Sequence, residues 1–195
     1  MRFDLYQEVC ERIRDRCDIL INLTTGAGGC LLHNPKGAES PWDTSGLKGP
    51  KEGVEHVLRL KPELCSLDVG TLNLGSRVFV NLVGNVEKMA ALIREAGVKP
   101  ELEVFEIGHI RIAKHLIRQG LVGKPPLFQL RLGVPWEAEA TVENLVYMLS
   151  NLPSDALWSA FGIGQHHFTI ATVSTVRGGH VCVGFEENFL SRRTC

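Results

Sequence analysis

Short apolar runs and stretches of helical periodicity alternate along nearly all of this 195-residue chain, and nothing else in it constrains the fold as much. Cys17-Asp-Ile-Leu-Ile-Asn-Leu-Thr-Thr25 is aliphatic and runs straight into Gly26-Ala-Gly-Gly29, the pattern of a buried strand ending in a loop. Residues 64–69, 102–107, 127–132, 157–161 and 180–185 repeat that strand pattern. Helical stretches fall between them, at 51–60, 84–96, 109–119, 140–151 and roughly 165–177. Gly97, Gly120 and Gly178-Gly179 stand where C-terminal caps belong. An opening helix is expected to bury Leu5, Val9, Ile13 and Cys17, spaced four apart. Residues 30–50 read as a long loop.

Six such βα units call for a parallel sheet with crossover helices. Two closures fit: an open doubly wound sheet, or part of a (β/α)8 barrel. Polar residues recur at the strand ends (Thr24 and Thr25, Asp68 and Thr71, Glu103 and Glu106, Glu186 and Glu187), whereas a doubly wound sheet concentrates them at one switch point. A single α/β domain over residues 1–195, an incomplete TIM barrel, is therefore expected. With 21 basic against 22 acidic side chains there is no electrostatic case for nucleic acid. No stretch approaches the roughly 20 apolar residues of a bilayer span. Six cysteines without CxxC spacing read as reduced thiols of a cytoplasmic protein.

Several segments carry polar groups that suit chemistry. Thr24-Thr-Gly-Ala-Gly-Gly29 can wrap an anion with backbone N–H groups, or be a plain turn; it lacks both the GxGxxG and the GxxxxGK[ST] patterns. Asp68-Val-Gly-Thr-Leu-Asn-Leu-Gly75 packs an acid, a hydroxyl and an amide at a strand end, which suits either a substrate oxyanion or a capped turn. Glu101 and Glu103 share one parity of an apolar strand and Glu106 takes the other; burying them is costly unless they are paired, metal-bound or at a polar pocket. His109 either caps or packs. Adjacent His166 and His167 point in different directions on a helix and do not chelate together. Glu186-Glu187 places one carboxylate on each side of a strand, a division that suits a ligand and a base, or a solvated rim.

Taken in order, LTTGAGG (23–29), ELCSLDVGTLNLG (63–75), VKPELEVFEIGHI (98–110), WSAFGIGQ (158–165) and GGHVCVGFEEN (178–188) resemble the β-keto acid cleavage enzymes, such as the 3-keto-5-aminohexanoate cleavage enzyme of lysine fermentation. The resemblance implies a TIM barrel with one divalent metal, usually Zn2+. It also implies acyltransferase chemistry: a β-keto acid and acetyl-CoA give acetoacetate and a new acyl-CoA by Claisen and retro-Claisen steps. Carried onto this chain, Thr24, Thr25, Gly26, Thr71 and Asn73 would hold the substrate's carboxylate and keto oxygens. Glu103 would be the catalytic acid or base. Glu186 would ligate the metal, and Glu187 would be the neighbouring catalytic acid, where the family usually has Asp.

The chain departs from that family in places. It has no His-x-His pair, the source of the family's other two metal ligands, and Cys182 stands where the family has an Arg. The expectation is a truncated member matching barrel strands three to eight. It would bind zinc weakly, and its open strand edges would lead to a homo-oligomer or an aggregate. Two other readings stay open: an inactive homologue serving as a subunit or binding module, and an unrelated aldolase-like α/β enzyme. The expected partners are a small β-keto acid and acetyl-CoA, with no nucleic acid and no membrane.

Overall fold

The computed structural model describes residues 2–26, 29–33, 42–75 and 77–184. Helix α1 (Phe3–Arg14) precedes strand β1 (Asn22–Thr24), followed by β2 (Cys30–His33), β3 (Trp42–Asp43) and α2 (Pro50–Leu60). Next come β4 (Leu64–Asp68), β5 (Leu72–Leu74), β6 (Arg77–Phe79), α3 (Val83–Glu95), β7 (Lys99–Val104) and α4 (Ile107–Arg118). The chain continues through β8 (Leu127–Leu132), α5 (Val142–Ser150), β9 (Leu157–Gly162), α6 (His167–Val176) and β10 (His180–Val181).

Six strands form one parallel sheet in the order β1-β4-β7-β8-β9-β10, each neighbour reached by a helical crossover. The sheet is curled, as an arc of a TIM-like barrel. The expected α/β class and strand positions hold to within a few residues. Gly97, Gly120 and Gly178 close their helices at positive φ. No helix among the described residues is long and apolar enough to cross a membrane.

The outward face of this sheet is the core. Leu67, Leu102, Val104, Phe128, Leu130 and Ala160 are fully buried against helix residues such as Val54, Val57, Ile93, Ile110, Leu116, Leu145 and Ile170. Each large side chain removed from water contributes about 1.5–3 kcal/mol. Side chains alternate along a strand, so the other parity makes a concave face of opposite character. It carries Asn22 and Thr24, Ser66 and Asp68, Glu101 and Glu103, Gln129 and Arg131, then Ser159 and Phe161.

Two expectations are corrected. Residues 30–50 are not one loop: β2 and β3 join β5 and β6 in a four-stranded antiparallel sheet of order β3-β2-β6-β5. On α1, Leu5 and Val9 are exposed, and the packed stripe is Phe3, Tyr6, Cys10 and Ile13. Contacts with α2 select it: the Tyr6 ring lies 5.3 Å from that of His56, and the Arg59 guanidinium lies 3.6 Å over Phe3.

Candidate active site

The strand register brings the charged residues together. Asp68 at the end of β4 pairs with Glu103 on β7, and Glu103 with Gln129 on β8. Arg131, two residues beyond Gln129 and on the same face, donates from Nη1 to Glu103 Oε2 at 2.9 Å. The Arg131 guanidinium lies 5.1 Å from the Phe161 ring centre and 5.5 Å from that of Phe105, and these rings hold its planar fork in place. The side chain of Glu103 is only 9% exposed and that of Arg131 23%, so the pair is screened little by water. One turn of the pleat below, Glu101 accepts from Asn22 Nδ2 at 2.7 Å and from Gln129 Nε2 at 3.3 Å.

Electrostatics follow from this crowding. Asp68 is buried and hydrogen-bonded to Glu103; burial first, and the Glu103 charge second, push its carboxyl well above the usual range against the opposing pull of Arg131. Burial also pushes Glu101 up, with the Asn22 hydrogen bond working against it. The neighbouring thiol of Cys65, on the core side of β4, is pushed up to about 12 by burial.

The loop after β1 forms the rim. His56 on α2 binds the Thr24 carbonyl through Nε2 at 2.7 Å; burial pushes its imidazole down, so the neutral ring donates there. Thr24 Oγ1 accepts from the Gly26 N–H at 3.1 Å. Thr25 is buried and its hydroxyl donates to the Ser66 carbonyl at 2.7 Å, which ties β1 to β4. Gly26 is packed so closely that a Cβ there would lie 3.1 Å from Asp68 Oδ2.

The segment after β4 forms the opposite rim. Asn81 donates its side-chain amide to the Asp68 main-chain oxygen, and its N–H to Thr71 Oγ1 at 2.9 Å. His109 Nδ1 accepts the Phe105 N–H at 3.2 Å, which leaves Nε2 as the donor toward the Thr71 carbonyl at 3.3 Å. Its ring presses on Gly70, where a Cβ would come 2.1 Å from Cδ2, so only glycine fits. The side chain of Asn73 is exposed on β5, while its N–H is held by Glu137 at 2.8 Å.

Thr24, Gly26 and Glu103 therefore converge around Asp68. Thr25 serves the fold through its hydroxyl, and Thr71 and Asn73 sit on the outer rim. Glu186 and Glu187 lie outside the described residues. Sequence reasoning missed Arg131, Asn22 and Gln129 as site residues. Gln129 and Arg131 repeat the two-residue spacing of Glu101 and Glu103 on the next strand, a signal that was available.

Charged side chains on the concave face of a curled parallel sheet, at its C-terminal edge, stand where TIM-barrel enzymes place their active centres, and mark this as the candidate site. The family model described as beta-keto acid cleavage enzyme matches residues 1–194, and this chain belongs to that family. It is 40% identical over 192 residues to the 3-dehydrocarnitine:acetyl-CoA trimethylamine transferase of Rhizobium meliloti, covering 96% of this chain and 64% of that protein. It is 37% identical over 185 residues to a 3-keto-5-aminohexanoate cleavage enzyme of Fusobacterium nucleatum, covering 94% and 61%. The chain thus spans about three-fifths of the length of these relatives. Among solved structures, that of apo ObcA superposes with a TM-score of 0.71 at 19% identity, over 95% of this chain and 45% of that one, a likeness of fold.

Proposed function

We propose that this chain works in the acetyl-CoA-dependent cleavage of a β-keto acid, with Glu103 as the acid–base group. The observation that carries the reading is the buried Glu103–Arg131 pair at the C-terminal strand ends, in a chain of this family. An ionised carboxylate of fixed orientation, 2.9 Å from a guanidinium, suits removal of the acidic proton between the keto and carboxylate carbons. The resulting carbanion attacks the acetyl thioester and expels the coenzyme A thiolate. The thiolate then adds to the original keto carbon, and carbon–carbon cleavage releases the new acyl-CoA and acetoacetate, which takes back a proton. The Thr24–Gly26 rim and the Thr71 and Asn73 side chains are proposed to hold the substrate's oxygens.

The resemblance implies a divalent metal. Among the described residues no three His, Cys, Asp or Glu side chains are arranged to hold an ion, and Glu103 is already engaged by Arg131 and Asp68. These residues do not fit a metal centre, and no step is derived through one. Glu186 as a metal-ligand carboxylate and Glu187 as the neighbouring acid remain proposals from sequence.

Charge favours one substrate class. Among the described residues of the concave face, Asp68, Glu101 and Glu103 face one arginine, Arg131, an acidic excess that favours a β-keto acid bearing a cationic nitrogen over a dicarboxylate. The names of the two relatives above point the same way. The test is incubation of the chain with acetyl-CoA and 3-dehydrocarnitine, 3-keto-5-aminohexanoate or 3-oxoadipate, with products read by mass spectrometry. Acetoacetate and a new acyl-CoA from the first two, absent in Glu103→Gln, are expected. No product from any of them would overturn the reading.

A further inference from the structure

Asp68 is a buried acid that the steps above do not use. It stands across the β4–β7 ladder from Glu103, and neighbouring strands run only about 4.8 Å apart. The two carboxyl groups are 8% and 7% exposed as residues and hydrogen-bond to each other. Two ionised carboxylates cannot share such a contact away from water, so one of them carries a proton. Arg131 decides which. Its Nη1 is on Glu103 Oε2, so the negative charge is held on Glu103. Asn81, which reaches Asp68, binds its main-chain oxygen and not its carboxyl.

We propose that Asp68 and Glu103 hold one proton between them, that the proton resides on Asp68, and that Asp68 is thereby the positioning residue of the Glu103 carboxylate. The positioning role rests on the reading of Glu103 as the acid–base group. Asp68 and Arg131 grip Glu103 from the strands on either side and fix the direction of its remaining lone pairs. When Glu103 takes a proton from substrate, the pair holds two protons and Arg131 loses the negative charge of Glu103, an arrangement that favours giving the proton back. Other groups facing the pair are Glu101 on β7, Asn22 and Thr24 on β1, Ser66 on β4 and Gln129 on β8; of these only Glu101 is a titratable acid, and burial pushes its carboxyl up. Its carboxylate is held by Asn22 and Gln129, separately from Asp68. Gly26 closes the mouth over Asp68 Oδ2, where any side chain would press on the protonated acid.

Infrared spectroscopy of the whole chain at neutral pH reads the proton without turnover. A protonated-carboxyl C=O band is expected that shifts on aspartate carboxyl 13C labelling and not on glutamate labelling. It is expected to vanish in Asp68→Asn, to persist in Glu101→Gln, and to titrate at lower pH in Glu103→Gln, where the like charge is gone. Absence of an aspartate-derived band in the unaltered chain overturns the proposal, even if every variant fails to fold. So does a glutamate-derived band that disappears in Glu103→Gln, which would place the proton on the other partner. A chain that shows the aspartate band yet cleaves no β-keto acid refutes the proposed function and leaves the shared proton standing.

Discussion

In an Arg131→Met chain the Glu103 carboxylate loses the guanidinium that lies 2.9 Å away, while its side chain stays 9% exposed beside Asp68. Removing one partner of a buried ion pair costs about 3–5 kcal/mol, because the other charge is left without compensation. The partial exposure of Arg131, 23%, places this case toward the lower end. Two cation–π contacts, at 5.1 and 5.5 Å, are lost as well, about 0.5–1 kcal/mol each, partly replaced by methionine packing on the same rings. The expected loss is therefore about 3–4 kcal/mol at pH 8, a large part of the 5–15 kcal/mol typical of a domain. The orphaned carboxylate is expected to take up a proton as pH falls. Between that uptake and the ordinary glutamate range the folded variant binds a proton that the unfolded chain does not, so the deficit shrinks by up to about 1.4 kcal/mol per pH unit. Urea unfolding of both chains at pH 5 and pH 8 measures it. Arg131→Met/Glu103→Gln is expected to recover most of the loss, since the Glu103 carboxylate is removed together with its guanidinium. A deficit below about 1 kcal/mol, or one equal at both pH values, would show that Arg131 acts by packing and does not hold Glu103 by charge.

Gly70→Ala is expected to cost about 1–3 kcal/mol, because the added methyl would meet the His109 ring at 2.1 Å and drive it off the Phe105 N–H. Thermal melting of Gly70→Ala/His109→Ala above Gly70→Ala alone would confirm the clash; additive losses would refute it. Asp68 has a raised carboxyl in the folded state, so its contribution to stability is full below the ordinary aspartate range and falls as pH rises from about 4 toward neutral. Asp68→Asn cannot ionise and is expected to flatten that decline in urea unfolding from pH 4 to 8; an unchanged slope would contradict the assignment. Native alkylation at pH 7.5 followed by peptide mass spectrometry is expected to label exposed Cys17 and to spare buried Cys65, whose thiol is pushed to about 12; early labelling of Cys65 would mean that β4 opens easily.

How far the sequence reveals this molecule depends on the length of each element. Runs such as Leu127–Leu132 and the helical stretches between them are long enough for period and capping glycines to agree, and the parallel α/β arc follows from their alternation. Strands β5 and β6 have three residues each and β3 two, too few for a period, so the antiparallel sheet went unseen. On α1 both Leu5–Val9 and Tyr6–Cys10 form stripes, and only contact with α2 chooses between them. The site was half legible. Glu103 was expected from the family resemblance, its strand pattern leaving open which of three glutamates serves a site, and Asp68 was noted only as the acid of a cluster that suits either a substrate oxyanion or a capped turn. That Asp68, Glu103 and Arg131 meet is a matter of strand order and register, which no local pattern holds. Thr25 shows the converse: a hydroxyl that suits a substrate oxygen is spent on the Ser66 carbonyl, a partner 41 residues away in sequence.

The central claim, acetyl transfer to a carbanion raised by Glu103, has one direct test. The chain is given acetyl-CoA labelled with 13C in both acetyl carbons and an unlabelled β-keto acid, and the acetoacetate formed is examined by NMR. Because the carbanion attacks the thioester carbon, the label is expected in the keto and methyl carbons of acetoacetate, with the carboxylate end unlabelled and no such product from Glu103→Gln. Label in the carboxylate end, or labelled acetoacetate formed as fast by Glu103→Gln, would contradict it.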